Sequence, residues 1–500
     1  MEFRAFLEDL KEEGELNEID KKIDWELQSS AICAMSQRVG GPAVQFNNIK
    51  DYPDTSLVGS IFCGSGMFDW PQVPRKMHGR IAMGLGLEKD IHYDELLGTI
   101  LDRKKSSIRP IEVESGPCQE VVIEGDDIDL YKYPIPYIHD KDGGRYLTSH
   151  VIMTRDEDRK WTNFETHRLM VLRRNKLVQG TLARMTRPGN LEMMAATAAK
   201  KGKPLPFAVV IGAPPEMMLE AHMNQPPEKD EYSAAGALGL TSIPLVKAKL
   251  SNILVPVGAE IVFEGHIYPG ETATEGPYAH ISYYSEEMEN LVYRVECITQ
   301  RKDPVFPFEV EGARPSDKMS MLSVMHSAEI FEYLQLCGVP VKWVTLPVEA
   351  KLCLAIVCLS SQILPGYPGR ASELIYGMSP YARQVLVVDP DVDSEDLLKA
   401  LMDRVFKANF ERQYFISQKS DNPLGLTENH DFKSGTSSTL CIDATWRMDR
   451  PPETIPRRVT FEYCIPPDIQ EKVIHDWNDE LKLQPKVWKY DHKLMGMTDE

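Results

Sequence analysis

The sequence lacks most of the short signatures that announce a chemistry. There is no G-x-x-x-x-G-K-[ST], which disfavours a P-loop nucleotide enzyme, and no G-x-S-x-G elbow or H-E-x-x-H zinc pair. Gly84-Leu85-Gly86 is only a fragment of a dinucleotide loop. No apolar run approaches the ~18 residues of a membrane helix, and the first ten residues alternate charged and apolar side chains at helical spacing, unlike a secretory signal. Basic runs are missing too. The formal net charge is -19, so the clustered Lys and Arg that bind nucleic-acid phosphates are not present and nucleic acid is excluded as a partner. Cysteine is sparse: nine in 500 residues, scattered, with even the closest pair, Cys353 and Cys358, making no C-x-x-C. They read as reduced thiols of a cytoplasmic protein. Repeats and low-complexity tracts are absent.

What is present is ordinary globular composition, 42% hydrophobic and 26% charged, in a chain too long for one core. Helical periodicity at residues 3–13, 25–39 and 93–103, with a short apolar segment at 42–46, predicts an N-terminal α/β domain over 1–108. From 109 to 305 short β-branched runs bounded by Gly, Pro and Asp (120–123, 150–154, 169–172, 207–211, 260–263) predict a β-rich domain with long polar loops. Residues 306–466 return to α/β order, with strands at 341–346, 352–357 and 384–388 and helix at 371–375 and 394–405. A helical tail, 467–500, carries an amphipathic stretch at 470–481 suited to packing on a neighbouring domain or subunit.

Three polar clusters stand out in the central domain. In Trp161-Thr162-Asn163-Phe164-Glu165-Thr166-His167-Arg168 an extended strand would point Asn163, Glu165 and His167 to one side and Phe164, Thr166 and Arg168 to the other. A surface strand gives the same alternation. Lys229-Asp230-Glu231-Tyr232 follows His222-Met223 and a Pro-Pro break and opens a small-residue segment; Glu231 is a metal ligand or a helix-starting charge. In Glu275-Gly276-Pro277-Tyr278-Ala279-His280 a tight turn presents Glu275 with an imidazole five residues on, a pairing suited to acid/base work or simply a solvated turn.

In order and spacing these clusters, with Asp142-Gly143-Gly144-Arg145-Tyr146, Val255-Pro256, the run 260–265 and Cys441-Ile442-Asp443-Ala444-Thr445, resemble the UbiD family over nearly the whole chain. The resemblance implies a mixed α/β protein whose central domain is a split β-barrel binding prenylated FMN. It implies a divalent metal, Mn²⁺ or Mg²⁺, on Asn163 and Glu231, with K⁺ nearby. Thr166, His167, Arg168, Arg187 and Met223 join those two as cofactor-binding positions. Arg168 and Glu275 match the family's catalytic ion pair, and His280 stands where the family has a second, proton-donating Glu or Asp; an imidazole of ordinary pKa ~6.5 still donates near neutrality, and more readily if Glu275 raises that pKa. The metal-binding His of the family's branch that acts on cinnamic-type acids has no counterpart in 185–190, where Asn190, a backbone carbonyl or water is left to fill the position.

The implied activity is reversible decarboxylation of an aromatic, heteroaromatic or α,β-unsaturated acid through a covalent adduct with the flavin, followed by protonation. The alternatives are a carboxylase acting as catalytic subunit of a larger complex, and a non-catalytic cofactor-binding or assembly subunit. The implied partners are the small acid, CO₂, a flavin prenyltransferase that supplies the cofactor, and further copies of the chain in a homodimer or homohexamer.

Overall fold

The computed structural model of the protein describes residues 1–68, 75–180, 189–281, 283–312, 315–361, 364–408, 414–419, 430–431, 436–448, 450–451, 454 and 464–481. Its first helix, Phe3–Glu12, buries Phe3, Phe6, Leu7 and Leu10 at helical spacing. Phe6 stacks on Phe62 with ring centroids 5.3 Å apart. Strands Leu16–Ile19, Ala43–Phe46 and Ser56–Gly59 form a sheet whose fourth member, Val305–Phe308, arrives from far along the chain and pairs parallel to Ser56–Gly59. The N-terminal segment and the end of the central one therefore share a sheet.

The central sheet has nine strands, in the order Tyr146–Leu147, Leu169–Arg173, Lys176–Gln179, Met288–Gln300, Ile261–Glu275, Leu205–Ile211, His150–Asp156, Trp161–Glu165, with Val121–Glu124 paired on Met288–Gln300. This path is open: its hydrogen bonding does not close into a barrel. Leu205–Ile211, an unbroken apolar run, is buried along its whole length between two antiparallel neighbours. Ile261–Glu275 is far longer than the predicted 260–263. Pro269-Gly270 interrupts the sequence pattern, and the chain absorbs that pair in an irregularity between Ile267 and Thr272 before pairing resumes as far as Glu275 opposite Met288.

A six-stranded sheet follows, with Leu354–Leu359, Gln384–Val388 and Thr436–Ala444 parallel at its centre. The predicted 371–375 lies inside helix Tyr367–Met378, and 394–405 becomes Leu397–Phe406, because Asp396 caps it by accepting from Lys399 N–H. Helix Asp317–Leu336, unpredicted, is buried on nearly all sides. Its Asp317 carboxylate accepts from the N–H groups of Ile61, Phe62 and Cys63 at 3.0, 2.9 and 2.9 Å and so ties the helix to the N-terminal sheet. Helix Pro467–Leu481 exposes Ile469, Val473 and Trp477 at four-residue spacing. Among the described residues no two cysteines are joined in a disulfide, and no helix is long and apolar enough to cross a membrane.

Candidate active site

Strand Trp161–Glu165 pairs with His150–Asp156 so that Asn163 faces Thr154 and Glu165 faces Ile152. The predicted alternation ends there: Thr166, His167 and Arg168 lie in the link to strand Leu169–Arg173. That link carries Arg168 into the interior, where it is 4% exposed. Its Nε and Nη2 donate to the two oxygens of Glu275 at 2.8 and 3.0 Å, a bidentate pair. Tyr146 Oη donates to Glu275 Oε1 at 2.9 Å, and the guanidinium lies 4.7 Å from the Tyr278 ring centroid. Burial alone would lower the Arg168 pKa, but the Glu275 charge outweighs it and raises it.

Glycines make room for this pair. A Cβ on Gly180 would lie 2.4 Å from Arg168 Nε, and one on Gly143 would lie 2.1 Å from the Gly276 carbonyl oxygen. Gly143 N–H donates to Pro277 O at 2.7 Å and Asp142 accepts from Ala279 N–H at 2.9 Å, so the Asp142–Tyr146 motif braces the turn after Glu275.

Glu231 begins helix Glu231–Gly239, which Asp230 caps. Its Oε2 accepts from Phe164 N–H at 3.0 Å, beside Asn163; its Oε1 is buried with no partner among the described residues. Burial, then the neighbouring Glu220, pushes the Glu231 pKa well up. Asn163 Nδ2 donates to Glu165 Oε1 at 3.1 Å. His167 Nε2 lies 3.0 Å from Glu165 Oε2, and Glu165, His167 and Glu192 hold ligand-type atoms within 4.8 Å of one another. Thr166 Oγ1 lies 3.4 Å from His222 Nε2, whose Nδ1 donates to Met218 O at 2.7 Å. Met223 is buried, and Asn190 Nδ2 donates to Gln225 O at 3.1 Å. Arg187 lies outside the described residues.

His280 corrects an expectation. Glu275 is engaged by Arg168 and Tyr146, and the carboxylate beside His280 is Glu311, with Oε2 3.4 Å from Nε2. Instead of being raised, the His280 pKa is lowered by burial to about 3, Arg168 and Lys318 adding to the effect against Glu311. Burial opposes the charge of Glu311, yet His280, Lys318 and Arg168 hold its carboxyl below the ordinary value. The two cations facing the pair therefore act in one direction, favouring the carboxylate form of Glu311 and the neutral form of His280. Sequence reasoning quoted Tyr146 without a role and missed Glu311 and Lys318, which no motif marks.

Three consecutive stretches match the family of 3-octaprenyl-4-hydroxybenzoate carboxy-lyases (UbiD): its N-terminal domain over residues 7–100, its Rift-related domain over 109–315 and its C-terminal domain over 319–444. Pyrrole-2-carboxylic acid decarboxylase of Pseudomonas aeruginosa is 26% identical, with 96% of this chain and 98% of that protein covered. Among solved structures, the UbiD-class enzyme HmfF of Pelotomaculum thermopropionicum in complex with FMN superposes with TM-score 0.81 at 24% identity, covering 92% of this chain and 97% of that one. An evolved dimeric form of HmfF in complex with prFMN gives TM-score 0.78 at 23% identity, over 94% and 98%. Vanillic acid decarboxylase of Sedimentibacter hydroxybenzoicus in open form gives TM-score 0.79 at 26% identity, over 96% and 98%. The chain belongs to the UbiD family of carboxy-lyases.

Proposed function

We propose that this protein reversibly decarboxylates an aromatic or heteroaromatic carboxylic acid, using prenylated FMN and a divalent metal, Mn²⁺ or Mg²⁺, with K⁺ nearby. The observation that carries the reading is the buried bidentate Arg168–Glu275 pair locked by Tyr146. The relative named for pyrrole-2-carboxylic acid favours a heteroaromatic substrate.

The donor sets suit the groups required. A buried carboxylate oxygen without a partner among the described residues, Glu231 Oε1, is costly in apolar surroundings, and a hard divalent cation offsets that cost. Asn163, whose nitrogen is used on Glu165, offers its oxygen to the same cation. Thr166, whose Oγ1 lies 3.4 Å from His222 Nε2, supplies a hydroxyl that a cofactor phosphate takes; His167 and Met223 flank the position. Prenylated FMN, when bound, supplies an electron sink for the pair released as CO₂ departs.

The chain's own groups do the rest. Glu275 fixes the plane of the Arg168 guanidinium, whose Nη1 remains to orient the substrate carboxylate. Burial excludes water, so charge–charge contacts act at full strength. His280 delivers the proton that replaces the carboxylate, and a neutral imidazole must take one up before it can give one.

Full-length protein produced with a flavin prenyltransferase should release CO₂ from at least one acid among pyrrole-2-carboxylate, 2-furoate, vanillate and cinnamate. Silence across the panel from protein with a full flavin spectrum contradicts the reading.

A further inference from the structure

Glu311 lies outside every motif in the sequence, yet it sits where the proton must be handled. Its side chain is 2% exposed, and Oε2 has no hydrogen-bond partner among the described residues, only His280 Nε2 at 3.4 Å. His280 Nδ1 is likewise buried without a partner among the described residues. Arg168 and Lys318 face the pair, the latter with Nζ 3.6 Å from Glu311 Oε1. Both members of the pair also line a cavity of about 480 Å³, with His139, Asp140, Tyr283 and Tyr284 among others. Tyr283 is 60% exposed, so this wall reaches the surface.

We propose that Glu311 and His280 form one proton-delivery unit, with Glu311 holding the imidazole in its charged form during turnover and the cavity they line admitting the proton from water. This rests on the reading of His280 as donor. The groups facing the unit are His139, Arg168, His222, Tyr278, Glu309 and Lys318. Without substrate, burial first, and then Arg168 and Lys318, favour the neutral imidazole against Glu311. A substrate carboxylate docking on Arg168 offsets that cation and leaves Glu311 the dominant neighbour, so the imidazole takes a proton from cavity water. When the bond to CO₂ breaks, its electron pair, held meanwhile by the electron sink, returns to the substrate carbon and forms the C–H bond with that proton. The N–H electrons return to the ring, and no oxidant or reductant is needed. Glu311 is thus a positioning residue, acting through His280.

The test uses full-length protein loaded with prenylated FMN and whichever acid of the panel turns over. Glu311→Gln should lower kcat about 100-fold with KM within about threefold, leave the flavin absorbance unchanged and enlarge the solvent deuterium isotope effect on kcat. Glu311→Asp should recover about tenfold of the loss. Lys318→Met removes a cation that opposes protonation, so the alkaline limb of the pH–kcat profile should move upward. Glu311→Gln within about twofold of wild type, with its isotope effect and pH limb unmoved, overturns the proposal. Should Glu311→Gln fail to fold, as judged by lost flavin absorbance, an unmoved limb in Lys318→Met overturns it. Arg168→Ala in the same assay separates the two readings. If it is inactive while Glu311→Gln is active, only the role of Glu311 fails; if it is fully active, the site reading itself fails.

Discussion

At the scale of single residues the site depends on how Arg168 is held. Its guanidinium meets Glu275 through two hydrogen bonds, and the surface it passes over is the bare backbone of Gly180. A methyl group there would press on Nε, Cγ and Cζ at 2.4, 2.6 and 2.7 Å, all in the part of the side chain that sets the guanidinium plane. Gly180→Ala should therefore cost about 100-fold in kcat while leaving bound flavin and metal content intact. Steady-state kinetics with metal analysis checks this, and a loss below about threefold speaks against it. That Arg168 and Glu275 meet in one ion pair was legible because each sits in a motif with fixed spacing. Gly180 and Glu311 were not, since their meaning comes from side chains that reach them across the fold.

At the scale of elements, legibility followed periodicity. The strand Gln384–Val388 was read to the residue, being a short apolar run with polar ends. Helix Asp317–Leu336 was missed because Met and Ser cover it all round and no apolar stripe repeats. Contacts between elements were out of reach for the same physical reason: nothing local encodes them. One has a pH signature. His92, before helix Tyr93–Lys104, bonds Asp393 through Nε2 at 3.1 Å and Asp94 through Nδ1, joining the N-terminal segment to the C-terminal sheet. Burial alone would lower its pKa, but those carboxylates raise it from 6.5 to about 10. A raised pKa means the stabilisation is complete below 6.5 and fades as pH climbs through about 10. The Tm gap between wild type and His92→Asn should be widest near pH 6 and close toward pH 10; a gap that stays constant across this range contradicts the assignment.

For the whole molecule, the mixed α/β architecture and the family were legible from motif order, and three consecutive family matches span residues 7–444 with short gaps. The openness of the central sheet was not, because closure depends on strand pairing and tilt rather than on any local signal. The proposed metal is tested at this scale, since a ligand that prefers the folded chain stabilises all of it. Mn²⁺ at about 100 times its Kd should add about 2.7 kcal/mol. Thermal unfolding of wild type with and without Mn²⁺ should show that gain, and Glu231→Gln should lose it. An equal gain in the variant would place the ion elsewhere.

The most direct test compares CO₂ release by the prenylated-FMN-loaded wild type with that of Arg168→Ala and Glu275→Gln. Each variant should lose at least about 100-fold in kcat with the flavin spectrum retained. If both turn over within about threefold of wild type, the buried ion pair is not the catalytic centre and the account fails.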